Sequence, residues 1–315
     1  VAVWAAVTAN FAIPRVMPGN AVDTMISRFP QLSPQSLHAL EAEFGAGHHG
    51  SLLSQYFQYW NNLLHFNLGL SVSQYPSKVS TIIGQTLPWT LTLVGTATVI
   101  SFVLGTLFGI VAAWRRGGWF DRLLPAFTLL QATPYFFLAL LLIDLLALHI
   151  KLFPFGQGYS VGLTPGWNGA FVGSAITHSI LPALTIILTS IGGWMLQMRN
   201  VMLTTISEDY VLVAQAKGLP ARRVVFSYGA RNAILPNIAG FALSLGFVVA
   251  GALVMEIVFS YPGIGLTLYN AVTSNDYPLL QGIFLVISLA VLSAALLADI
   301  AYVFLDPRAR GGEAH

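Results

Sequence analysis

VSTIIGQTLPWTLTLVGTATVISFVLGTLFGIVAAW, residues 79–114, contains no charged side chain. About 20 apolar residues suffice to cross the hydrocarbon core of a bilayer as a helix. The part from Leu87 to Trp114 alone meets that length and reads as one helix. Four further stretches follow the same rule. They are residues 123–150, interrupted only by Asp144 and His149; 176–198, ending at Arg199; 234–258, with Glu256 near its end; and 279–305, with Asp299 inside. The N-terminal VAVWAAVTANFAI is apolar up to Pro14 and Arg15 and lacks the basic start of a signal peptide. It reads as the second half of a span whose start is missing, which makes six helices with both ends on one side.

Composition demands the same solvent. Hydrophobic residues make up 56% of the 315 and charged residues 8%, against about 25% charged in an ordinary soluble domain. So few charges cannot cover the surface of a soluble protein this large. High hydrophobicity with a net charge of +2 excludes a disordered chain. The absence of cysteine excludes a disulfide scaffold and thiolate zinc sites. Basic residues are few and sit in short clusters between spans, which argues against a nucleic-acid partner. The fold class is an all-α polytopic membrane protein, a single domain over 1–315.

Lys and Arg set the orientation. One set of loops carries Arg115, Arg116, Arg122, Arg199, Lys217, Arg222, Arg223, Arg231, Arg308 and Arg310; the other carries Arg15, Arg28, Lys78 and Lys151. The richer set is cytoplasmic, so both termini are cytoplasmic and residues 14–78 are external. Within the external part SPQSLHALEAEFG, 33–45, reads as a short helix, with Ser33 ahead of Pro34. YFQYWNNLLHF, 56–66, is an aromatic stretch suited to an interface.

The longest cytoplasmic connection, 204–233, includes DYVLVAQAKGLPARRVVFSYGARNAILP from 209 to 236 when its continuation is counted. Ala214 and Gly218 are four apart and share a helical face, where small side chains admit another backbone. Lys217, Arg222 and Arg223 add positive charge beside that patch. Physically this is either a surface helix with a docking face or a solvated loop helix.

This segment resembles the EAA loop of bacterial ABC importer permeases of the dipeptide/oligopeptide branch. The matching positions are Asp209, Tyr210, Val211, Ala214, Ala216, Lys217, Gly218, Leu219, Arg222, Arg223, Arg231, Asn232, Ala233 and Pro236. MPGNA at 17–21, EIVFSYPGIG at 256–265, NDYP at 275–278 and LDPRAR at 305–310 are similar to further signatures of that branch. Leu212 and Val213 stand before Ala214 where the wider family carries its naming glutamate. IGGWMLQMRN at 191–200 lacks a basic residue common in the branch, and QTLPWT at 85–90 also departs from the usual form.

The resemblance implies a permease subunit in the bacterial inner membrane. Its partners would be a sister permease, two ATP-binding cassette subunits carrying ATP and Mg, and an extracytoplasmic substrate-binding protein. Residues 209–222 would form the coupling helix, with Asp209, Tyr210, Ala214, Ala216, Lys217, Gly218, Leu219 and Arg222 facing an ATPase groove. Short peptides are the branch's usual cargo; oligosaccharides and nickel complexes are alternatives. A solitary ion-coupled transporter is the reading from another class, and it would use Asp144 and Asp299.

The residues support that division of labour. A P-loop needs Lys followed by Ser or Thr. Lys78, Lys151 and Lys217 are followed by Val79, Leu152 and Gly218, so ATP must be hydrolysed elsewhere. No catalytic constellation occurs: neither HExxH nor GxSxG is present. His48–His49 alone is a weak metal signal, and no metal site is expected. Glu256 and Asp299 match family acids and suit structural roles, while Asp144 lies near the outer end within reach of water. Gly105 and Gly109 form a helix-packing pair. Gln131, Tyr135, Trp194 and Gln197 are candidate path-lining groups, able to serve a peptide backbone or a sugar ring equally.

Overall fold

The computed structural model describes residues 1–16, 51–250 and 253–305. The MPGNA turn, the expected helix at 33–45, His38, His48, His49, residues 306–310 of LDPRAR and the side chain of Asp299 lie outside the described part. The described chain is helical, with one isolated antiparallel bridge between Leu70 and Lys78. Its helices are α1 (Ala2–Val16), α2 (Leu52–Leu64), α3 (Val79–Trp114), α4 (Trp119–Ala132), α5 (Tyr135–His149), α6 (Gly169–Ile206), α7 (Asp209–Ala216), α8 (Ala221–Ala233), α9 (Leu235–Ala250), α10 (Leu253–Val258), α11 (Ile264–Thr273) and α12 (Tyr277–Leu305).

Among the described residues only α3, α6 and α12 are long and apolar enough to cross a bilayer unbroken, and counting each bent pair as one span gives five. The stretch expected as a span over 123–150 is two helices, α4 and α5, which meet at 101°. Pro134 is the cause. Proline pushes its predecessor out of the helical region, and Thr133 is extended, with φ −75° and ψ 132°. The 234–258 stretch is likewise two helices, α9 and α10, and α9 meets α8 at 52°.

Polar side chains inside the long helices bond to their own backbone, as an apolar solvent requires. Thr86, Thr92, Thr185 and Thr189 each donate to the carbonyl four residues back, at 2.7–3.0 Å. Asn168 caps α6 by accepting from the Phe171 amide at 2.8 Å.

The central contact is a parallel crossing of α3 and α6. A side chain on Gly105 would lie 2.6 Å from Trp194 Cβ, and one on Gly109 would lie 2.6 Å from the Met195 carbonyl oxygen. The glycine pair therefore serves packing, and its partner is α6 of the same chain. On the other side of α6, a Cβ at Gly192 would sit 2.5 Å from the Phe127 carbonyl oxygen of α4. Helix α6 is thus held between α3 and α4 at backbone contact. Arg199 and Asp121 tie α6 to α4 by a 2.7 Å ion pair, both side chains largely buried. At this basic end, Ile110, Ala113, Met198 and Met202 pack on Val225, Ala230 and Ala233 of α8.

The opposite end is held by α1, α2 and α12. The aromatic stretch forms α2 and packs on α1: Thr8 and Asn10 meet the Tyr56 and Tyr59 hydroxyls at 2.8 and 3.1 Å. Asn10 also donates to the Gln281 carbonyl at 2.8 Å, and Gln281 returns a bond to the Asn10 carbonyl at 3.1 Å.

Overpacking at such a contact costs about 1–3 kcal/mol. Gly105→Ala is expected to lower the thermal midpoint of the purified chain by several degrees. Gly84→Ala, on the same helix with nothing within 4 Å of the added methyl, should leave it unchanged or raise it.

Candidate functional site

Three of the four candidate path residues meet in one open cavity of about 660 Å³. Gln131 enters from α4, and Trp194 and Gln197 from α6. Thr98 and Ser101 of α3, Thr189, Ser190 and Asn200 of α6, and Ser244 of α9 complete its polar lining. No lining residue carries a charge. Tyr135 does not reach it: the bend at Thr133–Pro134 carries α5 away and leaves Tyr135 exposed. On α6, Trp194 and Gln197 were legible as candidates; Thr189 and Asn200 join Gln197 on one face, at intervals close to the helical repeat. The α3 and α9 hydroxyls carried no comparable signal, because isolated Ser and Thr are common in such helices.

Two glycines give the cavity its shape. A Cβ on Gly193 would come 3.0 Å from Gln131 Nε2, and one on Gly240 would come 3.4 Å from the Trp194 ring. Trp194 sits at a junction. Its ring meets Phe102 edge-on at 5.4 Å and Phe241 at 6.5 Å, while Phe102 and Phe241 stack at 4.3 Å. The buried Asn237 of α9 donates to the Trp194 carbonyl at 3.3 Å and to Thr106 Oγ1 at 3.1 Å. One amide thus joins α3, α6 and α9 behind the cavity wall.

The acids have separate roles. Glu256 is fully buried. Its Oε1 accepts from Thr90 Oγ1 at 2.7 Å, and its Oε2 accepts from the Gly265 and Leu266 amides at 2.6 and 3.2 Å. Thr90 Oγ1 accepts in turn from the Ile264 amide at 2.8 Å. The carboxylate therefore satisfies the open N-terminus of α11, where negative charge is favoured. A side chain on Gly263 would overlap that carboxylate, and one on Gly265 would lie 2.8 Å from Leu253 Cα. The spacing in EIVFSYPGIG follows from this cap. Asp276 of NDYP is also buried. It accepts from the Leu279 amide of α12 at 3.2 Å and from Ser71 Oγ, Ser73 N and Ser73 Oγ at 2.5–2.8 Å. Burial holds the Tyr261 phenol above the usual tyrosine range, and the Glu256 charge adds to this; its hydroxyl lies 3.0 Å from Ser179 Oγ. Asp144 is exposed, 3.5 Å from His149 at the non-basic end and remote from the cavity lining. Among the described residues no three His, Asp or Glu side chains converge as a metal site would require.

At the basic end, α7 and α8 form a compact hairpin. Ala214 does not offer an open face as its sequence spacing suggested. It is 2% exposed and packs with Val211, Val224, Leu219 and Tyr228 of its own chain. The backbone that its small side chain admits is that of α8. Gly218 has φ +73°, a left-handed conformation that glycine accepts freely. The Gly218 amide donates to the Gln215 carbonyl at 2.9 Å and the Leu219 amide to the Ala214 carbonyl at 3.4 Å. This is a Schellman end for α7. Tyr210 accepts at 2.9 Å from Asn232, so two motif positions 22 residues apart close the hairpin. The outward surface consists of Asp209, Leu212, Val213, Ala216, Lys217 and Arg222, with Leu212 and Val213 about half exposed.

Residues 105–311 match the family described as binding-protein-dependent transport system inner membrane component. The chain belongs to this family. It is 33% identical over 299 residues to a Brucella suis biovar 1 protein provisionally named a peptide permease, covering 95% of this chain and 92% of that one. It is 32% identical over 319 residues to the di/tripeptide transport system permease protein DppB of Pseudomonas aeruginosa, covering 96% and 93%. It is 29% identical over 300 residues to the oligopeptide transport system permease protein AppB of Bacillus subtilis, covering 95% and 92%. The chain is therefore an inner membrane transport component of a system that depends on a binding protein, and a multi-pass helical membrane protein.

Replacing Glu256 by Gln leaves one acceptor oxygen and turns an NH₂ group toward a partner that needs an acceptor. Leaving such a buried group unsatisfied costs about 1–3 kcal/mol. Glu256→Gln should lower the thermal midpoint, and a variant as stable as the parent would show that the second carboxylate oxygen contributes nothing.

Proposed function

We propose that this chain forms half of a translocation path for short peptides in an ABC importer and moves them by ATP-driven alternating access. The observation that carries the reading is the uncharged, hydroxyl- and amide-lined cavity formed by α3, α4, α6 and α9. An open polar cavity facing lipid would leave its amides unsatisfied. A second permease closing it would turn two such cavities into one pathway. Amide side chains pair naturally with peptide groups, and the named relatives are peptide permeases.

In this reading the six helical passes are α1, α3, α4 with α5, α6, α9 with α10, and α12. Both termini and the loop over 204–233 are cytoplasmic, and 14–78 is external. The basic end then faces the cytoplasm, as the positive-inside rule requires. The α7–α8 hairpin is the coupling element: Leu212, Val213 and Ala216 enter a groove of an ATP-binding cassette subunit, with Lys217 and Arg222 beside them. Movement of the ATPases would reach the core through Val225, Ala230 and Ala233, which touch the ends of α3 and α6. ATP and Mg belong to those partners, and an external binding protein delivers the solute.

Because the chain has no cysteine, single cysteines report topology without background. Ser207→Cys should react with an impermeant maleimide only in inverted vesicles, and Ser160→Cys only in intact spheroplasts; the reverse pattern would overturn the orientation. For coupling, Gly218→Trp is a poor test, since any side chain there strains the left-handed turn. Leu212→Asp with Val213→Asp should abolish co-purification of the ATPase subunits while the monomer's thermal midpoint stays unchanged. For cargo, a deletion strain and its complemented parent would be fed mixed short peptides and oligosaccharides, with depletion followed by mass spectrometry. Loss confined to peptides is expected. Loss confined to oligosaccharides would reject the peptide assignment.

A further inference from the structure

Among the described residues that line the polar cavity, Trp194 alone brings a ring. The others are small hydroxyls, Gly193, or the flexible chains of Gln131, Leu196, Gln197 and Asn200. The rest of the indole is packed. At its base, α3 approaches so closely that a methyl on Gly105 would lie 2.6 Å from Trp194 Cβ. On its flank the ring meets Phe102 edge-on at 5.4 Å, and Phe102 stacks on Phe241 at 4.3 Å. At its tip, Cζ3 and Cη2 would lie 3.4 and 3.7 Å from a methyl on Gly240 of α9. The Trp194 carbonyl accepts from Asn237 Nδ2 at 3.3 Å.

These contacts decide what the ring can do. A side chain that swings as a gate needs empty volume to swing into. Here α3, α9 and the Phe102–Phe241 pair occupy the packed sides, and side chains packed in this way yield only when a neighbour moves. Trp194 is therefore a fixed, half-buried wall of the cavity. Gly240 is the recess that lets it stand back. A methyl at position 240 would already touch the ring, so the branched carbons of a valine would press it toward the cavity. The absence of a side chain at one residue of α9 thus sets where the wall stands.

We propose that Trp194, seated against Gly240, sets the largest side chain that can pass this chain's half of the path, which makes the pair the size-determining element of solute selection. The inference rests on the reading of the cavity as part of the path. A rigid wall excludes by shape: Gln131 and Gln197 can fold aside from a bulky solute, and the packed indole cannot. In a closed apolar pocket one methylene of misfit discriminates by about 10–200-fold. An open cavity with one rigid wall belongs at the low end of that range, about tenfold.

The test uses the complete transporter in cells whose own copy of this chain is deleted and replaced by parent or variant. Cells receive equal amounts of trialanine, trileucine and triphenylalanine, and depletion of each is followed by mass spectrometry. The readout is the uptake ratio of each bulky peptide to trialanine, divided by the parent's ratio, so that expression level and the binding protein's own preference cancel. Trp194→Ala should raise both ratios by about tenfold. Gly240→Val should lower both, with Gly240→Ala between it and the parent, because a methyl meets the ring only at van der Waals distance. In the Trp194→Ala background Gly240→Val should lose most of its effect, as a residue acting through the ring must. An undiminished effect there would overturn the pairing. Unchanged ratios in both single variants would overturn the size wall. So would a fall confined to triphenylalanine in Trp194→Ala, which would make the indole a stacking surface for aromatic solutes. Should loss of the indole unfold the chain, the Gly240 variants carry the test alone. Uptake of no peptide by the parent would reject the peptide assignment and not the wall. The same ratios are then read on branched against linear oligosaccharides, where Trp194→Ala should favour the branched ones and an unchanged ratio would overturn the wall.

Discussion

The backbone contact between α3 and α6 is the constraint on which the remaining structure depends. Hydrocarbon gives two helices no hydrophobic reason to associate, so van der Waals contact and hydrogen bonds must hold them. Gly105 and Gly109 allow α6 to approach until its carbonyls lie where a methyl would be. That approach fixes the rotation of α6. With Ile191, Met195 and Met198 turned into the crossing, the stripe at 189, 193, 197 and 200 must face away from it. The polar cavity is the other side of a packing solution. Gly192 then repeats the device against α4 and brings Gln131 to the same wall.

Glu256, Asp276, Asp121 and Arg199 are charges that backbone groups or an opposite charge neutralise. Glu256 and Asp276 differ in sequence context and share a task, each satisfying the first amides of a helix that starts inside the assembly. The first amides of α11 and α12 are buried, and an N-terminal carboxylate satisfies them compactly. Asp121 and Arg199 neutralise one another at the basic end. The cavity lining itself carries no charged side chain.

Much of the architecture was legible beforehand because lipid imposes a simple rule. Uncharged runs marked α3 and α12 to within a few residues at one end and the middle of α6, and the Lys and Arg bias marked a basic end that the helix packing reproduces. What escaped notice depended on three-dimensional coincidence. Pro134 was visible, yet a proline in a span can kink it slightly or turn it by 101°. Pro88, Pro125 and Pro182 sit inside helices without ending them. Ala214 was read as a bare outer face because spacing gives the face and not its direction. Only the packing of Val224 and Tyr228 shows that the face turns inward. Asp276 was quoted within NDYP, but its partners Ser71 and Ser73 lie over 200 residues away.

The α7–α8 hairpin joins these threads. Its inner side carries small residues so that α7 can lie on α8 and α8 can lie on the ends of α3 and α6. Its outer side keeps Leu212, Val213 and Phe226 in water's reach, at a cost that a monomer has no reason to bear. Gly218 closes the turn after α7, and Tyr210 bonds Asn232 across the hairpin. Helix α6, in backbone contact with α3 and α4, is the element that both the hairpin and the cavity share.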